Sequence, residues 1–196
     1  ITKMTTINYN LKSTYDNAGY SMFGGYLAEN KEIIWQSAGH TKLLPQLNIL
    51  PSQTVLMIGA GFGWIAEKWQ AQGIGPICAV DTSQWIQSEK AQNANIEIYD
   101  FDITDYSTHD SIKQVLGLQP SDKIDWCITE DFFTEVSDQD CLNIALALRN
   151  IGNNVIHYIT KKPRDELLQI PEFAIRNYKT EEEWNILLSP DRIIIR

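Results

Sequence analysis

Short apolar runs rich in β-branched residues alternate with helical patterns from about residue 54 to the end of the chain. Such runs are typical of strands buried on both faces, and their alternation with helices indicates βαβ units around a parallel sheet. We therefore predict an α/β three-layer sandwich with a mostly parallel sheet. The predicted strands are 54–58, 77–80, 96–99, 124–128 and 155–159, and 191–196 is a candidate last strand.

Two of the later helical patterns begin with residues that favour helix N-termini. Ser107 with Asp110, and Ser137 with Asp140, have the spacing of an N-terminal capping pair. A further helix is predicted from residue 180 through 188. In right-handed βαβ units, the functional crevice lies at the carboxyl ends of the strands, so we look for the site there.

The length and composition indicate one main domain with an N-terminal extension. The chain has 196 residues, 43% of them hydrophobic, and it contains no internal repeat and no linker rich in glycine, serine or proline. We predict a ligand-binding domain over 54–196. The extension over 1–53 carries scattered tyrosines and helical patterns at about 31–38 and 41–50, and we expect it to cover the site.

The charge and the cysteines restrict the environment and the partners. A formal net charge of -9 opposes the phosphate-neutralising surface that nucleic-acid binding requires, so DNA or RNA is disfavoured as a partner. No apolar run reaches the roughly 20 residues that span a bilayer, and residues 1–6 lack a secretory signal. Cys78, Cys127 and Cys141 form no disulfide framework. These features predict a soluble cytoplasmic protein.

The segment with the clearest chemical meaning is a strand that runs into a glycine turn and then a helix. Residues 55–58 are apolar, and Gly59, Gly61 and Gly63 follow. Glycines let a backbone approach a ligand closely, and the next helix presents unpaired N–H groups. A dinucleotide-binding turn would need glycine at position 64, where this chain has Trp64, which argues against a nicotinamide cofactor.

This turn resembles motif I of the class I (Rossmann-like) S-adenosylmethionine-dependent methyltransferases. The resemblance covers about residues 54–160 and implies S-adenosyl-L-methionine as the cofactor. It implies that Asp81 binds the ribose, as its position after the second strand also suggests. Asp102 and Ile103 would meet the adenine, although Asp100 is a competing carboxylate. The cofactor-binding set predicted in this way is Gly59, Ala60, Gly61, Gly63, Asp81, Thr82, Asp102 and Ile103.

The resemblance also implies that the segment after the fourth strand lines the transfer site. Glu130 and Asp131 are the candidate catalytic residues, because a carboxylate can orient an amine or accept a proton from a nucleophile. The alternative is that Asp131 contacts the backbone and Glu130 faces water. Nucleic-acid amino-methylating enzymes carry a proline-rich motif here, and this chain does not. The catechol-type metal site is also missing, so no metal is predicted.

Two departures from the family keep other functions open. Met57 stands where members usually carry an acid near the cofactor's amino group, and only 37 residues follow the predicted fifth strand, which suggests a sheet shortened at its C-terminal end. The function expected is methyl transfer to a small-molecule or peptide nucleophile. The alternatives are a regulatory or assembly protein that binds S-adenosylmethionine without catalysis and, less favoured, a nicotinamide-dependent oxidoreductase.

Overall fold

The computed structural model describes residues 46–61, 63–82, 95–130, 133, 136–159 and 179–195. Its strands and helices alternate along the chain, as the sequence pattern predicts. The strands are β1 (Val55–Ile58), β2 (Ile77–Val80), β3 (Ile98–Tyr99), β4 (Ile124–Glu130), β5 (Gly152–Ile159) and β6 (Arg192–Ile195). The helices are α1 (Trp64–Ala71), α2 (His109–Val115), α3 (Asp138–Ile151) and α4 (Glu181–Leu188), with a 3₁₀ turn at Tyr106–Thr108 before α2.

The six strands of the described ranges form one sheet in the order β3-β2-β1-β4-β5-β6. Every neighbouring pair is parallel. The order reverses between β1 and β4, and in open α/β sheets the ligand crevice lies outside the carboxyl ends of the strands at such a reversal. The loop that follows β1 is therefore placed at the expected binding position.

Two apolar layers cover the sheet. Alternate strand residues such as Leu56 and Ile58 pack with buried residues of α2, α3 and α4. Val55 and Met57 point to the other face, where they pack with Trp69 of α1. This division follows from the two-residue period of a strand, which sends successive side chains to opposite faces. The predicted three-layer α/β sandwich with a parallel sheet is confirmed.

Two of the predicted helix starts are confirmed, and a third differs for a local reason. The side chain of Ser137 caps α3, and Thr180 with Glu183 forms a capping box at α4. The start predicted for the helix between β3 and β4 was wrong, because a short 3₁₀ turn comes first. Asp105, not Ser107, accepts the capping hydrogen bond, and a 3₁₀ turn precedes α2. Asp105 caps this turn because its carboxylate accepts hydrogen bonds from both the N–H and the hydroxyl of Ser107.

The three cysteines are buried, and their thiols are free. Burial, followed by the nearby Glu97 carboxylate, raises the pKa of the Cys78 thiol to about 12, so this group stays protonated. Among the described helices, none combines the length and the hydropathy that crossing a lipid bilayer requires. The predicted helix at 31–38 and most of that at 41–50 lie outside the described residues.

Candidate cofactor site

The loop after β1 is a tight turn that only glycine accommodates without strain. Gly59, Gly61 and Gly63 have φ values of 76°, 54° and 74°, and a side chain in this left-handed region costs roughly 1–2 kcal/mol per residue. The N–H groups of Gly59 and Ala60 both donate to the Val80 carbonyl at 3.0 Å. The turn is therefore tied to the end of β2.

Two of these glycines serve different purposes. A Cβ atom at Gly63 would lie 2.4 Å from Ile98 Cδ1 and 2.8 Å from Ile96 Cγ2, so this position lets α1 begin close against β3. At Gly61, a Cβ would have no atom of the described residues within 4 Å. Among these residues nothing fills the space beside the Gly61 backbone, which is what a ligand that approaches the turn needs.

Asp81 lies against this turn although it is 20 residues further along the chain. Its Oδ2 accepts a hydrogen bond from the Gly61 N–H at 2.9 Å, and its own N–H donates to the Tyr99 carbonyl at 3.1 Å. The side chains of Asp81 and Thr82 are both half-buried. The carboxylate is therefore held at the carboxyl edge of the sheet, between the glycine turn and the end of β3.

The other predicted cofactor residues follow β3. Asp102 is half-buried, and its Oδ1 accepts hydrogen bonds from the N–H and the hydroxyl of Thr104 at 2.9 and 2.7 Å. The Ile103 side chain is buried in the layer formed with α2, and its carbonyl lies 2.8 Å from His109 Nε2. The competing Asp100 is exposed. Asp102 is thus the one of the two aspartates that the local fold holds in a defined orientation.

The structure describes part of the segment after β4. Glu130 is the last residue of β4 and is in register with Tyr158 of β5, so its backbone position at the carboxyl edge is defined. Asp131 lies outside the described residues. Phe133 is almost fully buried and contributes to the layer formed with α3 and α4. Among the described residues, no group of three acidic, histidine or cysteine side chains could hold a metal ion.

A partly buried polar network lies at the ends of β4 and β5. The Thr129 hydroxyl and Asp191 Oδ2 lie 2.9 Å from His157 Nδ1 and Nε2, respectively. Arg149 of α3 donates from Nε to Asp191 Oδ1 at 2.8 Å. Nothing in the sequence marks these four residues as neighbours, because the bonded pairs are 28 to 42 positions apart.

The protonation of this network follows from its partners. Burial lowers the pKa of His157, and this outweighs the opposite effect of the Asp191 carboxylate. A carboxylate only accepts, so the neutral ring donates from Nε2 to Asp191 and accepts the Thr129 hydroxyl hydrogen at Nδ1. Burial raises the pKa of Asp191, but the hydrogen bonds from His157 and Arg149 outweigh it, and the net pKa is lowered.

These two shifts predict that the protein loses stability as the pH falls. Because the His157 pKa is lower in the folded chain than its ordinary 6.5, the unfolded chain binds more protons as the pH drops through 6.5, which favours unfolding. The lowered Asp191 pKa acts in the same direction at still lower pH. Urea unfolding at pH 7.5, 6.5 and 5.5 measures the effect. In His157→Phe the difference between pH 7.5 and 5.5 should shrink, and an unchanged difference would contradict this origin.

Comparisons with known proteins bear on the architecture. No family model matches the sequence, and no curated protein matches it. Among solved structures, a SAM-dependent methyltransferase from Anabaena variabilis ATCC 29413 aligns with a TM-score of 0.60 at 15% identity, covering 97% of this chain and 85% of that one. Magnesium protoporphyrin IX methyltransferase from Synechocystis PCC 6803, with bound SAM, aligns with a TM-score of 0.57 at 14% identity, covering 93% and 86%.

This chain shares the Rossmann-like α/β fold of these two solved structures. Within that fold, the Met57 side chain is buried in the layer shared with α1, so an apolar group occupies the position where the family usually carries an acid. The C-terminal end agrees with the shortened sheet that the sequence suggests, because the described sheet has six strands and its last strand, β6, pairs directly and in parallel with β5.

Proposed function

We propose that this chain is an S-adenosylmethionine-dependent methyltransferase that acts on a small-molecule or peptide nucleophile. The observation that carries the proposal is the arrangement at the carboxyl edge. No atom of the described residues lies within 4 Å of a Cβ built at Gly61, and the Asp81 carboxylate is hydrogen-bonded to that same residue. A carboxylate next to a backbone that a ligand can approach closely is well placed to accept hydrogen bonds from the two hydroxyls of a ribose.

The remaining residues of the site have complementary roles in this proposal. Gly59, Ala60, Gly61 and Gly63 form the turn that takes the cofactor, with Asp81 and Thr82 at its ribose. Asp102 and Ile103 would meet the adenine. Glu130 and Asp131 would orient the acceptor and take its proton, since a carboxylate positioned at the nucleophile can act as a general base. When bound, the cofactor supplies an activated methyl group, so alignment of the acceptor is the main task of the protein.

The charge of the chain supports the class of acceptor. A net charge of -9 raises the free energy of approach to a polyanion, and no proline-rich clamp follows β4 to hold a flipped base. The acidic side chains that give the chain this net charge favour a ligand that carries positive charge, as the sulfonium cofactor does. A small amine or hydroxyl compound, or a peptide, therefore suits the site better than a nucleic acid.

Cofactor binding is the first test. We expect S-adenosylhomocysteine at saturating concentration to raise the melting temperature, because a ligand that binds only the folded state stabilises it. At 100 times its dissociation constant, the stabilisation is about 2.7 kcal/mol. NADH serves as the matched control and should leave the melting temperature unchanged. A shift with NADH alone would favour the oxidoreductase, and no shift with either ligand would remove the proposal.

Methyl transfer is the second arm of this test. Labelled S-adenosylmethionine is incubated with the protein and a metabolite extract, total RNA or plasmid DNA. We expect label in the metabolite fraction, and a loss of transfer in Glu130→Gln or Asp131→Asn that leaves S-adenosylhomocysteine binding intact. Binding without transfer to any fraction would indicate the non-catalytic alternative. Efficient labelling of DNA or RNA would overturn the acceptor class.

A further inference from the structure

The segment that carries the two candidate catalytic carboxylates is bounded by two residues that contact the same side chain. Thr129 directly precedes Glu130, and its hydroxyl lies 2.9 Å from His157 Nδ1. Phe133 comes two residues after Asp131, and its ring stacks on the His157 imidazole with centroids 4.8 Å apart at 27°. The imidazole thus contacts the chain on both sides of the Glu130–Asp131 pair.

The imidazole is itself held rigidly. It is 0% exposed, and Asp191 accepts its Nε2 hydrogen at 2.9 Å with a side chain that is 4% exposed. Arg149 fixes Asp191 from the other side at 2.8 Å and also donates to the Leu188 carbonyl at 2.7 Å. The ring is therefore fastened to α3 and to the loop between α4 and β6, and it cannot rotate without breaking buried hydrogen bonds.

Phe133 is held on its other sides as well. It is 1% exposed. Its ring centroid lies 6.4 Å from that of Trp184 in α4, and its carbonyl accepts from the Cys141 thiol at 3.7 Å. These contacts keep the phenyl ring over the imidazole, so the position of the backbone at 133 depends on His157.

We propose that His157 is a positioning residue for methyl transfer, whose imidazole fixes both ends of the segment that carries Glu130 and Asp131. This inference rests on the proposed function for its chemical meaning, while the positioning itself is independent of it. A carboxylate displaced by about 1 Å from its acceptor costs a large part of the rate, roughly 100-fold in unfavourable cases. The network acts through the segment and does not touch the acceptor.

The sharpest variant is Thr129→Val, which keeps the shape of the side chain and removes the hydroxyl that donates to Nδ1. Thr54→Val is the matched control. Thr54 is also a buried threonine, with a hydroxyl that donates to Asp125 Oδ2 at 2.9 Å, but it precedes β1 at the amino ends of the strands. Thr129→Ser restores the hydroxyl and should rescue the effect.

Hydrogen exchange of the full chain without ligand measures positioning directly. We expect amides of residues 130–136 to exchange roughly tenfold faster in Thr129→Val, while those of the glycine turn 59–63 stay unchanged. Thr54→Val should leave 130–136 unchanged, and Thr129→Ser should resemble the parent chain. Unchanged exchange at 130–136, or an equal increase in Thr54→Val, would overturn the proposal. If Thr129→Val does not fold, Phe133→Leu decides in its place, because it removes the ring stack and leaves both His157 hydrogen bonds.

Turnover separates positioning from cofactor binding. We expect Thr129→Val to bind S-adenosylhomocysteine within about twofold of the parent chain, and to lower kcat roughly tenfold with little change in KM for S-adenosylmethionine. If the parent chain transfers methyl groups and the variant does so with an unchanged kcat, His157 has no positioning role. A parent chain that binds no S-adenosylhomocysteine would defeat the proposed function alone, and the exchange comparison would still decide the role of His157.

Discussion

Gly63→Ala should lower the free energy of unfolding by about 2–5 kcal/mol. Roughly 1–2 kcal/mol comes from the left-handed backbone conformation at φ 74°. A further 1–3 kcal/mol or so comes from the contact between the new Cβ and Ile98, whose side chain is fully buried and cannot move away without repacking. Urea unfolding monitored by circular dichroism measures the loss.

Gly61→Ala is the matched control, because it shares the left-handed backbone but its Cβ has no atom of the described residues within 4 Å. We expect only the conformational cost, about 1–2 kcal/mol, in its stability. Its added methyl group would occupy the space that the cofactor needs in order to approach the backbone at this position. The affinity for S-adenosylhomocysteine should therefore fall even in the folded variant. Equal losses of stability in both variants would show that packing against Ile98 is not the reason for Gly63.

Asp81→Ala should weaken S-adenosylhomocysteine binding by about 1.5–3 kcal/mol, which corresponds to roughly 10- to 150-fold in the dissociation constant. The variant removes the proposed acceptor for the ribose hydroxyls and also the partner of the Gly61 N–H. Isothermal titration calorimetry measures the change.

Two further variants separate these contributions. Asp81→Asn keeps an oxygen for the Gly61 N–H and removes the charge, so its loss should be smaller than that of Asp81→Ala. Asp100→Ala removes an exposed carboxylate near the end of β3 and should change the affinity by less than about twofold. An equal loss in Asp100→Ala would mean that the ligand responds to the general acidity of this edge.

The extent to which each element could be predicted depends on how local its cause is. The glycine turn and α1 were predictable because the apolar strand, the glycines and the helical pattern are contiguous. β5 begins three residues earlier than the predicted 155, because Gly152 and Asn154 pair with β4 without contributing to the apolar pattern. β3 is shorter than predicted because, as an edge strand, it pairs with β2 through only two residues.

The candidate site divides in the same way. Asp81 could be assigned to the turn in advance, since the end of the second strand in a βαβ unit lies beside the end of the first. His157 could not be assigned, because its strand position alone is typical of an ordinary buried residue. Its role became visible only through the register of β4 with β5, which sets Thr129 opposite His157, and through the return of Phe133 over the ring.

The succession of strands and helices along the chain, the glycine turn and the acidic residue that follows β2 were predictable, because periodicity and backbone conformation are local properties. The polar side chains that meet at the ends of β4 and β5 could be identified only from the packed fold. Hydrogen bonds between residues 28 to 42 positions apart depend on strand order, register and helix packing, and these are set by the burial of the whole sheet between its two helical layers.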